Sequence, residues 1–280
     1  FLQRDSVEHK GYAEAQSTDR REGKERDGAS GLLEAILDRD NLNKAYKRVR
    51  RNHGAAGIDG MTVEEALPWL KEHRGELLQS IREGSYMPNP VRRKEIPKPD
   101  GGVRKLGIPT VVDRVIQQAI AQKLQNIWEP LFSDSSYGYR PKRSAGQAIQ
   151  KVKEYAEEGY RYAVSVDLSK YFDTLNHELL MNLLHKQIQD MRVLSLIKKY
   201  LKSGVMENGV VCKTEEGSPQ GGPLSPLLAN IYLNEFDWEM NNRGVKLVRY
   251  ADGIVVFAKS KRAAERQLES CRKYLEGRLR

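Results

Sequence analysis

Cysteine is scarce in this 280-residue chain. Cys212 and Cys271 are the two, far apart and outside any CxxC or Cys/His pairing, so neither a structural zinc site nor a disulfide framework is encoded. A reducing, cytoplasmic compartment is the expectation. Long hydrophobic runs are lacking as well. The longest, Gly253 to Ala258, has the length of a strand and falls far short of a membrane-spanning helix, so no membrane partner is expected. The chain opens on Phe1 without a Met, an apolar leader or an Arg-rich, acid-poor presequence, which is the pattern of a trimmed chain. Acidic residues are in deficit, 38 Asp and Glu against 47 Lys and Arg, for a formal charge of +9. That excess favours a polyanionic partner, nucleic acid before a membrane surface, because Lys and Arg that neutralise phosphates release condensed counterions. What remains is an ordinary apolar share, 39%, enough to bury a core in one large domain or two smaller ones.

Residues 1–30 mix charges of both signs with few large apolar side chains and read as a weakly packed extension. From Gly31 the spacing of Leu32, Leu33, Ile36, Leu37, Leu42, Ala45, Tyr46 and Val49 predicts two short helices. Their polar face ends in Lys47, Arg48, Arg50 and Arg51, which is either a solvated helix face or a phosphate contact. The segment PVRRKEIPKPDGGVRKLGIP, with its D-G-G turn, predicts a β-hairpin. It carries Arg92, Arg93, Lys94, Lys98, Arg104 and Lys105 against Glu95 and Asp100, and strand alternation can aim Lys98 and Arg104 at one face. Thr110 and Asp113 open a helix whose buried stripe is Val115, Ile116, Ala119, Ile120, Leu124 and Ile127. Tyr162 to Asp167 reads as a strand, His177 to Lys186 and Arg192 to Leu201 as amphipathic helices, and LLANIYLNEFDWEM as an apolar helix started by Pro223 and Pro226. Val245 to Tyr250 and Ile254 to Ala258 flank a tight turn, and residues 261–278 make a basic amphipathic helix.

Asp167 closes the strand AVSVD and Asp252 sits in the turn of VKLVRYADGIVVFA. Carboxylates at strand ends beside irregular connections can serve as ligands without loss of ladder bonds. Two of them held together suit Mg²⁺ ions that bridge substrate phosphates, the arrangement of two-metal phosphoryl transfer. Asp-Gly between alternating apolar runs is also a plain hairpin signal that needs no chemistry.

The segments VSVDLSKYFDTLNHELL, GSPQGGPLSPLLANIYL and VRYADGIVVFA, in this order and spacing, resemble the reverse transcriptases encoded in group II introns. The match extends upstream through GAAGIDGMTVEEA, EIPKPDGGVRKLGIPTVVDRVIQQAI and SYGYRPKRSAGQAI, and so covers residues 31–280. Several extended motifs in register carry far more weight than a lone short pattern.

The resemblance implies an α+β fold of the right-hand polymerase type, with the fingers over residues 31–155 and 178–215. The palm would take residues 156–177 and 216–280, built on a small antiparallel, ferredoxin-like sheet, and the thumb is expected to be absent. Asp167 and Asp252 would be the catalytic, Mg²⁺-binding carboxylates, with the carbonyl of Leu168 as a further metal ligand. Lys98 and Arg104 would clamp the incoming dNTP, Phe172 would exclude a ribose 2′-hydroxyl by bulk, and Gln220 would contact the nucleotide. Gly221 and Gly222 would let backbone approach closely. Lys47, Arg48, Arg50, Arg51, Arg92, Arg93, Lys94 and Arg140 would meet nucleic acid. The implied function is RNA-directed DNA synthesis together with binding of the intron RNA, assistance to splicing, and retrohoming. The implied partners are the group II intron RNA, an RNA template with its DNA primer, and dNTP. The oligomeric state stays open, with a homodimer through the palm edge as one reading.

One position departs from the family. Its turn usually reads Tyr-Ala-Asp-Asp, and here it reads Tyr250, Ala251, Asp252, Gly253. The loss of one negative charge weakens the field at the metals. The alternative reading is therefore an intron-RNA-binding maturase with a degenerate polymerase site.

Overall fold

The computed structural model describes residues 31–97, 101–168, 174–207, 210–212, 217 and 221–279. Its centre is the helix α4 (Val111–Trp128), and α1 (Gly31–Leu37), α2 (Arg39–Arg51) and α3 (Val63–Arg82) pack around it. The predicted apolar stripe of α4 is buried, from Val115 and Ile116 through Ala119 and Ile120 to Leu124, with Ile127 half-buried against it. Asp38 separates α1 from α2 by capping the second helix, its Oδ1 accepting from the N–H of Asp40 and of Asn41. Asn41 then donates from Nδ2 to the carbonyls of Ile36 (2.8 Å) and Ala119 (3.0 Å), stitching α1, α2 and α4 together.

At the start of α4, Thr110 accepts from the Asp113 N–H at 3.2 Å, as its T-x-x-D spacing predicts. Asp113 has a second task. Its carboxylate, 1% exposed, accepts from Tyr86 Oη (2.6 Å), Thr110 Oγ (2.7 Å), and the backbone and side-chain amides of Asn89. Burial and that carboxylate push the Tyr86 phenol far above its ordinary range.

Two sheets flank the helices. β1 (Val91–Pro97) and β2 (Val103–Ile108) form the expected antiparallel hairpin. A second, short hairpin of β4 (Val205–Glu207) and β5 (Val210–Cys212) joins it through parallel pairing of Val91 with Val205, giving the order β2-β1-β4-β5. The other sheet is fully antiparallel, with β3 (Tyr162–Asp167), β7 (Gly253–Ala258) and β6 (Lys246–Tyr250) in the order β3-β7-β6.

Alternation gives that sheet two buried faces. Leu247, Ile254 and Val256 pack into the main core shared with α8 (Ser225–Asn242) and α9 (Lys261–Arg278), while Val248 and Phe257 meet Tyr137, Ala148 and Tyr155 around α5 (Ala145–Glu157). The helices α6 (His177–His185) and α7 (Met191–Leu201) complete the chain order, and Asp190 caps α7 while also accepting from the Leu33 N–H. No helix among the described residues is long and apolar enough to cross a membrane.

Cys271 lies in α9 with its sulfur 3.7 Å from that of Met240, and burial pushes its thiol up to about 11. Cys212 is exposed. A thiol reagent at pH 8 should therefore titrate one cysteine in the native protein and two after denaturation; rapid modification of both before unfolding would contradict this packing.

Candidate active site

The antiparallel register of β3 with β7 sets Asp167 opposite Gly253. The β6–β7 pairing sets Tyr250 opposite the same Gly253, so the connection between those strands is the two-residue loop Ala251–Asp252. Both candidate carboxylate residues therefore arise at one end of one sheet, on neighbouring strands. Leu168, the next residue after β3, is half-buried against the main core.

The loop begins one residue earlier than an Asp-Gly turn would. Ala251 holds φ at +59°, while Asp252 and Gly253 stay out of the left-handed region. A positive φ at the first loop position alone is the sign pattern of a type II′ turn, a position that glycine normally fills. Gly253, by contrast, starts β7. A Cβ added there would lie 3.4 Å from the Tyr250 carbonyl, an ordinary contact, so the backbone does not require glycine at this position.

Beneath the loop lies a buried polar cluster that the sequence pattern did not reveal. Arg249 of β6 is fully buried, as is Asp237 of α8. The Arg249 guanidinium donates to Asp237 at 2.7 to 2.9 Å, to Asn230 Oδ1 (2.8 Å), to Ser136 Oγ (2.7 Å) and to the Ala251 carbonyl (2.8 Å). Asn230 passes the chain of bonds on to the Gly138 carbonyl at 2.8 Å. Gly138 itself lies against the loop, so closely that a Cβ there would collide with the Ala251 backbone nitrogen. The backbone of residues 135–137 runs along β6, with the Arg249 N–H donating to Ser135 and the Tyr137 N–H to Arg249.

The remaining predicted residues are spread more widely. Lys98, Phe172 and Gln220 lie outside the described residues, and for Arg104 and Asp167 only the backbone place is described: Arg104 stands opposite Ile96 in the hairpin. Lys47, Arg48, Arg50 and Arg51 are exposed on α2, and Lys94 is exposed on β1. Arg92 is partly withdrawn, its Nε and Nη2 both donating to the Ala56 carbonyl at 3.1 and 2.7 Å. Arg93 is half-buried.

Arg140 is a correction. Expected to meet nucleic acid, it has a side chain 3% exposed, with its guanidinium spent on Glu129 and on the carbonyls of Ser133 and Ser136. It holds the 129–140 segment together and presents little charge to a partner.

The two glycines after Gln220 do permit close approach, and the neighbour is the chain itself. A Cβ on Gly221, at φ +124°, would strike the Gly107 carbonyl of β2, and one on Gly222 would strike the Gln117 side chain of α4. Gly221 and Gly222 are thus seated against the basic hairpin and the central helix.

Among the described residues no group of three or more His, Cys, Asp or Glu could hold a metal. A divalent ion at this sheet end would depend on Asp167 and Asp252, with further oxygens from substrate, a hard-ligand set of the kind that Mg²⁺ takes.

Comparison with known proteins identifies the family and the fold. The family model for reverse transcriptase (RNA-dependent DNA polymerase) matches residues 96–278. Protein YkfC of Escherichia coli K12 is 36% identical, over 89% of this chain and 76% of its own length. The group II intron-encoded protein LtrA of Lactococcus lactis subsp. cremoris is 41% identical over 74% of this chain, and the match spans 34% of LtrA. In a solved partial Cas6-RT-Cas1–Cas2 complex, one chain shares the fold with a TM-score of 0.54 at 23% identity, over 88% of this chain and 42% of that one. The mixed helix-and-sheet architecture is thus that of an α+β, polymerase-like reverse transcriptase fold. The chain belongs to the group II intron reverse transcriptase/maturase family, of whose member LtrA it spans about a third.

Proposed function

We propose that this chain carries fingers and palm residues of an RNA-directed DNA polymerase that also binds its intron RNA and assists splicing and retrohoming. The observation that carries the reading is the register that brings Asp167 and Asp252 to adjacent strand ends of one antiparallel sheet. On this reading residues 156–177 and 216–280 form the palm, and residues 31–155 and 178–215, with the α1–α4 helices and the basic hairpin, form the fingers. Mg²⁺, when bound, would neutralise the triphosphate and lower the pKa of the primer 3′-hydroxyl that attacks the α-phosphorus, with pyrophosphate leaving. Asp167 and Asp252 would hold it with hard carboxylate oxygens, and the Leu168 carbonyl would add a third. Lys98 and Arg104 would draw negative charge away from the leaving phosphates, Phe172 would crowd a ribose 2′-hydroxyl, and Gln220 would touch the nucleotide. Exposed Lys47, Arg48, Arg50, Arg51 and Lys94 would meet phosphates of a structured RNA or the primer–template duplex.

A second reading is favoured by Gly253: a maturase whose polymerase site has lost a carboxylate. Because the backbone accepts a side chain at this position, Gly253→Asp should fold as the parent does. Mg²⁺-dependent primer extension on an RNA template by the Gly253 form, abolished by Asp167→Ala, is the expected result. Silence from Gly253 with synthesis restored by Gly253→Asp would move the conclusion to an RNA-binding splicing factor with a disabled site.

A further inference from the structure

We infer that Arg249 is a positioning residue for Asp252: with Asp237 and Asn230 it clamps Ala251 in a left-handed conformation and so fixes the backbone from which the candidate metal carboxylate projects. The inference rests on the reading of Asp252 as a metal ligand. Left-handed φ is uncommon for alanine, and a strained residue persists where its surroundings over-determine it. Here the surroundings do so. The carbonyl of Ala251 accepts from Arg249 Nη1 at 2.8 Å, and its nitrogen lies so near Gly138 that no Cβ would fit between them, the Gly138 carbonyl itself being held by Asn230.

The guanidinium has no freedom to follow a shifting loop. Asp237 holds its Nε and Nη2, Ser136 holds Nη2 again, and Asn230 shares Nη1 with the half-buried Ala251; Arg249, Asp237, Ser136 and Asn230 are each no more than 1% exposed. A lysine could not reproduce this fork, whose planar donors are fixed relative to one another. The anchors come from α8, from the 133–138 segment and from β6, so the loop is tied to three separate parts of the fold. For stability alone, an apolar pair could fill the space of Arg249 and Asp237, since buried ion pairs often replace without loss. An apolar pair could not hold the Ala251 carbonyl.

The test follows from that difference. Arg249→Met alone would strand the Asp237 charge and risk the fold, so the informative variant is the pair Arg249→Met with Asp237→Leu, with Ala251→Gly added to it in a third protein. Glycine takes the left-handed conformation without strain, so it should keep the turn when the clamp is gone. Three quantities are read: thermal midpoint, amide hydrogen exchange at residues 251–253, and Mn²⁺ affinity from the free-ion paramagnetic resonance signal. The paired variant should keep a cooperative melt, exchange faster at the loop and bind Mn²⁺ about tenfold more weakly, the low end for loss of an outer-shell partner. Ala251→Gly in that background should restore most of the affinity. A merely structural role predicts no such rescue. Unchanged loop exchange and unchanged affinity in the paired variant would overturn the inference, as would a loss that Ala251→Gly leaves untouched. If Asp252→Asn in the parent fails to weaken Mn²⁺ binding, the assignment of Asp252 as a ligand falls, whatever Arg249 does to the loop.

Discussion

Asp252→Asn is expected to lower Mg²⁺-dependent primer extension by about a thousandfold or more while leaving the thermal midpoint nearly unchanged. The amide matches the carboxylate in size, and Asp252 is half-buried in a surface loop, so little packing is at stake. What changes is charge. A metal-bound carboxylate at a reacting phosphoryl group supplies several kcal/mol of transition-state stabilisation, and about 4 kcal/mol corresponds to three orders of magnitude in rate. Single-turnover extension with saturating dNTP separates this loss from weakened substrate binding. A variant that extends primers within a few-fold of the parent would remove Asp252 from the chemistry, and the neighbouring register of Asp167 and Gly253 would then need another explanation.

The largest stability effect is expected far from that site, at Asp113→Ala. The carboxylate is 1% exposed and gathers the Tyr86 hydroxyl, the Thr110 hydroxyl and two amides of Asn89. Removing it strands several donors in a place water reaches poorly, at about 1–3 kcal/mol for each group left unpaired. A loss of about 4 kcal/mol in denaturant unfolding, with a drop of about ten degrees in melting temperature, is the expected measurement. Asp113→Asn should recover part of it, because the amide oxygen still accepts. A loss under 1 kcal/mol for the alanine variant would mean that the segment around Tyr86 and Asn89 repacks freely.

Elements with an unbroken period were legible in the sequence. The helix at Lys261–Arg278 matches its predicted bounds, and Ser260 caps it by accepting from the Ala263 N–H. The helix Val63–Arg82 escaped the pattern reading because Pro68 and Gly75 interrupt its propensity, although the Thr62–Glu65 capping box at its start was a usable signal. The Ser144–Gln147 box before α5 was another. β4 and β5 are three residues each, too short for alternation to declare itself.

Within the site, the strand ends that carry Asp167 and Asp252 were readable from local pattern. The support of Asp252 was not. Arg249 in a strand reads as a solvent-facing charge, and only tertiary structure brings Asp237, Asn230 and Ser136 around it. Arg140, which the resemblance assigns to nucleic acid, was illegible for the same reason, since a motif names a cation without showing the carbonyls that surround it.

The parallel contact of β1 with β4 carries a consequence for how the chain reaches this shape. Each hairpin can zip from its own turn, a local event on the microsecond scale. Joining them requires Val91 to find Val205 across most of the intervening chain, which contains α4, α5, β3, α6 and α7. That pairing closes a long loop for few ladder bonds, and loop entropy is lost before the bonds are gained. Loop entropy therefore favours consolidation of the helices around α4 before the four-stranded sheet joins its two hairpins.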